Sequence, residues 1–291
     1  MTPMRASESH FHDIRGLRYH VRRWPGDGAR VVLLHGWMDV SASFQFLADA
    51  LPRDWDLYAP DWRGYGLTQW SGADCYWFPD YMADLDQLLD RIEPEVPALV
   101  VGHSLGGNAS MLYAGVRPQR VSKLVNLEGF GMSRTEAEQA PKRYERWFDE
   151  LRKAPTLRPY AGFAELADRL QGNNARLTRQ RAEFLAHHWG KEIEGGKVVL
   201  RSDPAHKLVN ANLYRVDEAM ACWSRITAPV LWVEAEQSET PKRMGLSPVE
   251  RAARRAAVQN LAYATVPDAG PMLHHDQPEA VAKLIDAFLR A

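Results

Sequence analysis

The sequence predicts a doubly wound α/β fold, with a mostly parallel eight-stranded sheet between two layers of helices and a helical cap inserted in its second half. Three observations predict it. Short β-rich runs alternate with stretches of helical period. The run Ala98-Leu99-Val100-Val101 is continuously apolar, as suits a parallel strand covered on both faces. The alternation stops at about Ser133 and resumes after Trp223. This divides the chain into a core of 1–132 and 224–291 and a mainly helical cap of 133–223, where the Arg-, Trp- and Tyr-rich sequence shows helices without intervening strands.

The elements follow in order. Phe11 to Arg15 and Leu17 to Trp24 read as strands joined at Gly16, a hairpin turn. Val31 to Leu34 is the next strand, followed by a helical pattern over Ser43 to Leu51 and a strand at Leu57 to Ala59. Met82, Leu85, Leu88, Leu89 and Ile92 recur at helical spacing ahead of the Ala98 strand, and Lys123 to Leu127 closes the first half. After the cap come the strand Val230 to Val233, a polar helix near Ser247 to Asn260, the strand Ala262 to Val266 and a last helix. That helix carries Val281, Leu284, Ile285, Phe288 and Leu289 on one face. In such a sheet, ligands are expected at the carboxyl ends of the strands.

Composition excludes several function classes. The 291 residues are 45% hydrophobic and 25% charged, with 36 Lys and Arg against 37 Asp and Glu, the balance of an ordinary soluble protein rather than a nucleic-acid binder. The basic stretch Arg251-Ala252-Ala253-Arg254-Arg255 reads as the solvated face of a helix. Two cysteines, Cys75 and Cys222, suggest neither a disulfide framework nor a zinc site. His187-His188 in the cap has no Asp or Glu at a spacing that would complete a metal site. The polar start of the chain is unlike a signal peptide, and no run approaches the roughly 18 apolar residues of a membrane helix. A cytoplasmic protein with no membrane partner is expected.

Gly102-His103-Ser104-Leu105-Gly106 carries the chemistry. It matches Gly-x-Ser-x-Gly and lies between an apolar strand and a helical run, Asn108 to Val116. On such a strained turn the Ser104 hydroxyl is exposed, and the helix start favours negative charge beside it. His103 neighbours the serine on a strand, so its side chain points to the opposite face and packs behind the nucleophile. In Pro60-Asp61-Trp62-Arg63-Gly64-Tyr65-Gly66, Asp61 and Arg63 read as a structural ion pair within a turn.

These motifs, with His35-Gly36-Trp37 and Pro267-Asp268-Ala269-Gly270, occur in an order that resembles the α/β-hydrolase superfamily, most closely its capped serine esterases and serine-hydrolase-like proteins. The resemblance covers about Phe11 to Gly129 and Ala228 to Ala291. It implies an oxyanion hole made by the Trp37 and Leu105 backbone amides. It also implies an acid and a histidine. Where the family usually has an Asp, the sequence Glu234-Ala235-Glu236-Gln237-Ser238-Glu239 places Ser238. Glu128, after Leu127, sits at an alternative position used by some relatives and is favoured over Glu236 and Glu239. The usual histidine position is held by Pro271, which cannot accept a proton; His274, three residues on, is the remaining candidate base.

The resemblance therefore implies a cofactor-independent serine hydrolase that cleaves an ester or thioester of a small-to-medium apolar acyl substrate through an acyl-Ser104 intermediate. Pro271 motivates an alternative, a catalytically impaired hydrolase-fold protein that binds its ligand without turning it over.

Overall fold

The computed structural model describes residues 4–153 and 155–291. β1 (Glu8–Ile14) and β2 (Leu17–Trp24) pair antiparallel, and Arg15 and Gly16 between them both have positive φ, 49° and 79°. That backbone matches the twist of a two-residue hairpin, which is why glycine stands there. β3 (Arg30–Leu34), β4 (Asp56–Pro60), β5 (Ala98–His103) and β6 (Val121–Leu127) continue the sheet. Between them lie α1 (Gln45–Ala50), entered through a 3₁₀ turn at Ser41–Phe44, α2 (Phe78–Ile92) and α3 (Leu105–Val116).

Residues 133–223 rise from the end of β6. They form α4 (Ala140–Arg152), α5 (Phe163–Asn173) and α6 (Arg179–Trp189), then β7 (Gly190–Glu192) and β8 (Val198–Leu200), then α7 (Val216–Trp223). β9 (Val230–Ala235), α8 (Thr240–Arg243), α9 (Pro248–Ala256), β10 (Leu261–Val266), α10 (Leu273–Asp276) and α11 (Pro278–Arg290) complete the fold.

The main sheet has eight strands in the order β1-β2-β4-β3-β5-β6-β9-β10, parallel throughout except where β2 meets β1 and β4. Alternation along the strands supplies a core to each face. Val32, Leu34, Val100 and Trp232 join side chains of α2, α3 and α7 on one side. Val31, Leu33, Val101 and Val233 join α1 and α11 on the other. The strand order reverses between β3 and β5, so the loops leaving these two strands flank a crevice at the carboxyl edge.

Three expectations are corrected. The inserted segment is not free of strands, because β7 and β8 pair as an antiparallel hairpin beside α5 and α6, and Val198 completes a small separate core with Leu166, Leu170 and Leu185. Three-residue strands are too short to leave a period-2 signature in the sequence. Nor does the whole segment stand apart: Ala219 and Trp223 of α7 are buried in the main core, and a Cβ on Gly115 of α3 would strike the Cys222 carbonyl.

Arg251 to Arg255 is not a solvated face. Arg254 is 1% exposed and donates to the Phe130 carbonyl and to Glu250, both at 2.6 Å, while Arg251 and Arg255 clamp the buried Glu234 carboxylate. Asp61 and Arg63 do not pair with each other either. Asp61 accepts from the Ser41 amide at 2.6 Å and pairs with His20 Nδ1 at 2.8 Å, whereas Arg63 grips Asp84 at 2.5 and 2.6 Å. Buried charges need partners, and these come from strands and helices distant in sequence.

Candidate active site

Ser104 is the first residue beyond β5 and the N-cap of α3, with φ 49° and ψ −108°. A non-glycine residue at positive φ is strained and persists only where its surroundings enforce it. Here the Ser104 amide donates to the Leu127 carbonyl at 2.8 Å, and its own carbonyl accepts from Asn108 at 2.8 Å. The flanking glycines make the turn possible. A Cβ on Gly106 would run into the Leu34 carbonyl, and one on Gly102 would lie 2.5 Å from the Gly106 carbonyl oxygen. The serine is partly exposed above this turn.

The loop after β3 lies directly beside it. A Cβ on Gly36 would come within 3.4 Å of Ser104 Cβ and 3.0 Å of His103 Nδ1, so a larger residue would crowd this approach. Trp37, the next residue, turns its side chain outward, 56% exposed. Leu105 begins α3, and the first amides of a helix have no intrahelical acceptor. The Trp37 and Leu105 amides thus belong to the two segments that border Ser104.

Glu128 leaves β6 at the level where Ser104 leaves β5, because His103 pairs with Leu127 in the parallel ladder. It too has positive φ, 57°, and its amide donates to the Val233 carbonyl at 3.0 Å. Its carboxylate is 3% exposed and accepts from the Ala235 amide at 2.7 Å and from the Ser238 hydroxyl. Burial pushes this carboxyl up to about 7, more than the two donors lower it, with nearby Glu234 adding to the rise. Glu236 and Glu239 are both exposed, the latter 3.7 Å from Lys242. The Glu128–Ser238 hydrogen bond is what the sequence could not show.

Pro271 lies between β10 and α10 and is partly exposed. Its carbonyl accepts from His103 Nε2 at 2.8 Å. His103 is buried behind Ser104, and desolvation lowers it to about 4, so the ring is neutral. His274 is fully buried between Phe44 and His103, with ring centroids 5.2 and 4.4 Å away. Among the described residues neither of its ring nitrogens has a hydrogen-bond partner, and burial holds it well below the ordinary histidine range. Among the described residues no histidine hydrogen-bonds to Ser104 or Glu128. The structure thus brings Ser104, Glu128 and the Gly36–Trp37 loop together, and it places His274 in the core.

Parts of the inserted segment reach this edge of the sheet. Asn174 Nδ2 donates to Asp276 at 2.7 Å, Arg181 donates to the His275 carbonyl at 2.5 Å, and the Trp37 indole approaches the His206 carbonyl at 3.4 Å. His187 and His188, which the sequence reading did not favour as a metal site, pack against Phe163 and Phe184, at 4.1 and 4.5 Å between ring centroids. Among the described residues no helix is long and apolar enough to cross a membrane.

Residues 29–276 match the family model described as the alpha/beta hydrolase fold. A serine hydrolase-like protein of Danio rerio is 27% identical over 275 residues, covering 91% of this chain and 83% of its own. A hypothetical protein from Pseudomonas aeruginosa PAO1 superposes with a TM-score of 0.86 at 25% identity, over 98% of this chain and 100% of its own. A thioesterase domain from the curacin biosynthetic pathway gives the same TM-score, 0.86, at 22% identity, over 96% and 99% of the two chains.

Proposed function

Because the chain belongs to the alpha/beta hydrolase fold family, we propose that Ser104 is the nucleophile of a site for small-to-medium apolar esters or thioesters, and that Pro271 leaves this site impaired. The observation that carries the reading is the pairing of an intact Ser104 turn with a buried Glu128 carboxylate and, among the described residues, no imidazole hydrogen-bonded to either. Burial raises the Glu128 carboxyl to about 7, and an imidazolium beside it would oppose that rise.

The residues that remain have defined tasks. The Ser104 Oγ attacks the acyl carbon, the carbonyl oxygen gains the negative charge, and the Trp37 and Leu105 amides receive it, each such donor contributing about 3 kcal/mol to the transition state. The tetrahedral intermediate collapses as the ester C–O or thioester C–S bond breaks, the alcohol or thiol leaves with a proton taken from water, and the acyl group rests on Ser104 until a second water releases it as the carboxylic acid. Without a base, the Ser104 proton must leave to water, so acylation is slow while binding is retained. Residues 133–215 act as the cap that selects the acyl group, a reading supported by the contacts of Asn174 and Arg181 with the turn that follows Pro271. The unpaired state of Cys75 and Cys222 is consistent with the cytoplasm.

A fluorophosphonate probe followed by peptide mass spectrometry tests this assignment without a guessed substrate. Slow labelling confined to Ser104, accelerated by Pro271→His and abolished by Ser104→Ala, is expected. Labelling at another residue, or none in Pro271→His, would remove Ser104 from the role.

A further inference from the structure

Behind the Ser104 turn, three side chains from three segments meet in the interior. Asp39 comes from the loop after β3, His103 ends β5 and His274 lies in α10; they are 2%, 4% and 0% exposed. One ligand-type atom from each lies within 4.8 Å of the other two. Among the described residues His103 Nδ1, both ring nitrogens of His274 and Asp39 Oδ2 are buried without a hydrogen-bond partner. Buried polar atoms are rarely left unpaired, and here three of them, one from each residue, converge on one another.

The atoms that do have partners are arranged as metal ligands usually are. His103 Nε2 donates to the Pro271 carbonyl at 2.8 Å, which fixes the ring proton there and leaves the Nδ1 lone pair for the cluster. Asp39 Oδ1 accepts from the Val40 amide at 2.7 Å and from the Ser43 hydroxyl, so Oδ2 is the oxygen left over. Asp39 and Trp189 line one small cavity, and the Trp189 indole nitrogen has no hydrogen-bond partner among the described residues. Gly36 lacks the Cβ that would sit 3.0 Å from His103 Nδ1, which keeps that side of the ring open. Burial lowers both imidazoles and raises the Asp39 carboxyl to about 7.

We propose that Asp39, His103 and His274 bind one divalent transition-metal ion, with Zn2+ the best fit. Two imidazole nitrogens and one carboxylate oxygen suit an ion of borderline softness and leave a fourth tetrahedral position for water. Calcium and magnesium require oxygen-rich sets that this site lacks. The ion joins the loop after β3, the end of β5 and α10. It therefore fixes the Gly36 loop and the Ser104 turn from behind and takes no part in the acyl chemistry.

The test uses the whole chain, stripped with a chelator and titrated with Zn2+ by calorimetry and with Co2+ by absorption. One Zn2+ per chain with Kd at or below about 1 µM is expected. Co2+ should give the intense visible bands of a four-coordinate site, and Zn2+ should raise the thermal midpoint. His274→Gln and Asp39→Asn should each weaken binding by at least about 100-fold, and Ser43→Ala by about 10- to 100-fold. The double variant His187→Gln/His188→Gln should bind unchanged. Absence of binding at about 100 µM Zn2+, undiminished affinity in His274→Gln, or loss of binding in the His187/His188 variant would overturn the proposal. Should His274→Gln not fold, the Co2+ spectrum of the unmutated chain decides, since weak six-coordinate bands contradict the site.

Discussion

Replacing Glu128 with glutamine should stabilise this protein at alkaline pH and leave its stability nearly unchanged in acid. The folded chain holds the Glu128 proton with a pKa of about 7, against an ordinary value of 4.5. That shift of roughly 2.5 units corresponds to about 3 kcal/mol between the protonated and ionised forms. The sign follows from proton binding. Between about pH 4.5 and 7 the folded state carries more of this proton than the unfolded state, so stability falls as pH rises, and above 7 the full penalty is present. Below 4.5 both states are protonated and the penalty vanishes.

Glutamine keeps an oxygen for the Ala235 amide and stays neutral at every pH. Urea unfolding over a pH series should therefore show Glu128→Gln gaining about 1 to 3 kcal/mol at pH above 8 and nothing in acid, with an unchanged m-value. Adding Pro271→His should reverse the gain, because the introduced imidazolium would favour the ionised carboxylate. A difference independent of pH, or a loss at alkaline pH in the parent background, would refute the account of Glu128 as an acid without its partner.

Further outcomes follow from the same geometry. Gly106→Ala should cost more than about 3 kcal/mol in urea unfolding, because its Cβ collides with the rigid Leu34 carbonyl of a central strand. Asp61→Asn should destabilise by about 3 kcal/mol at neutral pH. His20 holds the Asp61 carboxyl well below the usual range despite burial, so its contribution is present above the ordinary carboxylate pKa and lost as pH falls; the variant and parent should converge in strong acid. Replacing residues 140–200 with a short linker should leave a folded core, since the Leu166–Leu185 cluster is separate from the two main ones and the contacts of Arg201 to His206 with the Arg63–Gly66 turn are kept. In the Pro271→His background this deletion should flatten selectivity across an acyl-chain series, and unchanged selectivity would show that the segment is not the gate.

Most of the sheet was legible because central strands such as β3, β5 and β9 carry short apolar runs bounded by Gly, Pro or charge, and the Ser104 turn was legible because its glycines are dictated by backbone collisions. What was not legible depends on long-range pairing. Arg254 looks like any helix-surface arginine until Phe130 and Glu250 are placed around it, and the three-residue β7 and β8 are defined only by each other. At the site, sequence order favoured Glu128, yet only the fold shows Ser238 and Ala235 holding its carboxylate. His274 lies three residues from Pro271, as a helical turn would place it. The α10 turn directs its ring into the core beside His103, and Asp39, 235 positions earlier, joins them there.

The turnover of p-nitrophenyl butyrate by the unmutated chain and by Pro271→His tests the central claim most directly, with Ser104→Ala in each background as control. Loss of the base from a serine hydrolase costs up to about 10⁶-fold in kcat, so a base restored beside Ser104 and Glu128 should raise kcat by at least about 10³-fold, and Ser104→Ala should remove the gain. Substantial turnover by the unmutated chain, unimproved by Pro271→His and abolished by His274→Ala, would contradict it and make His274 the base.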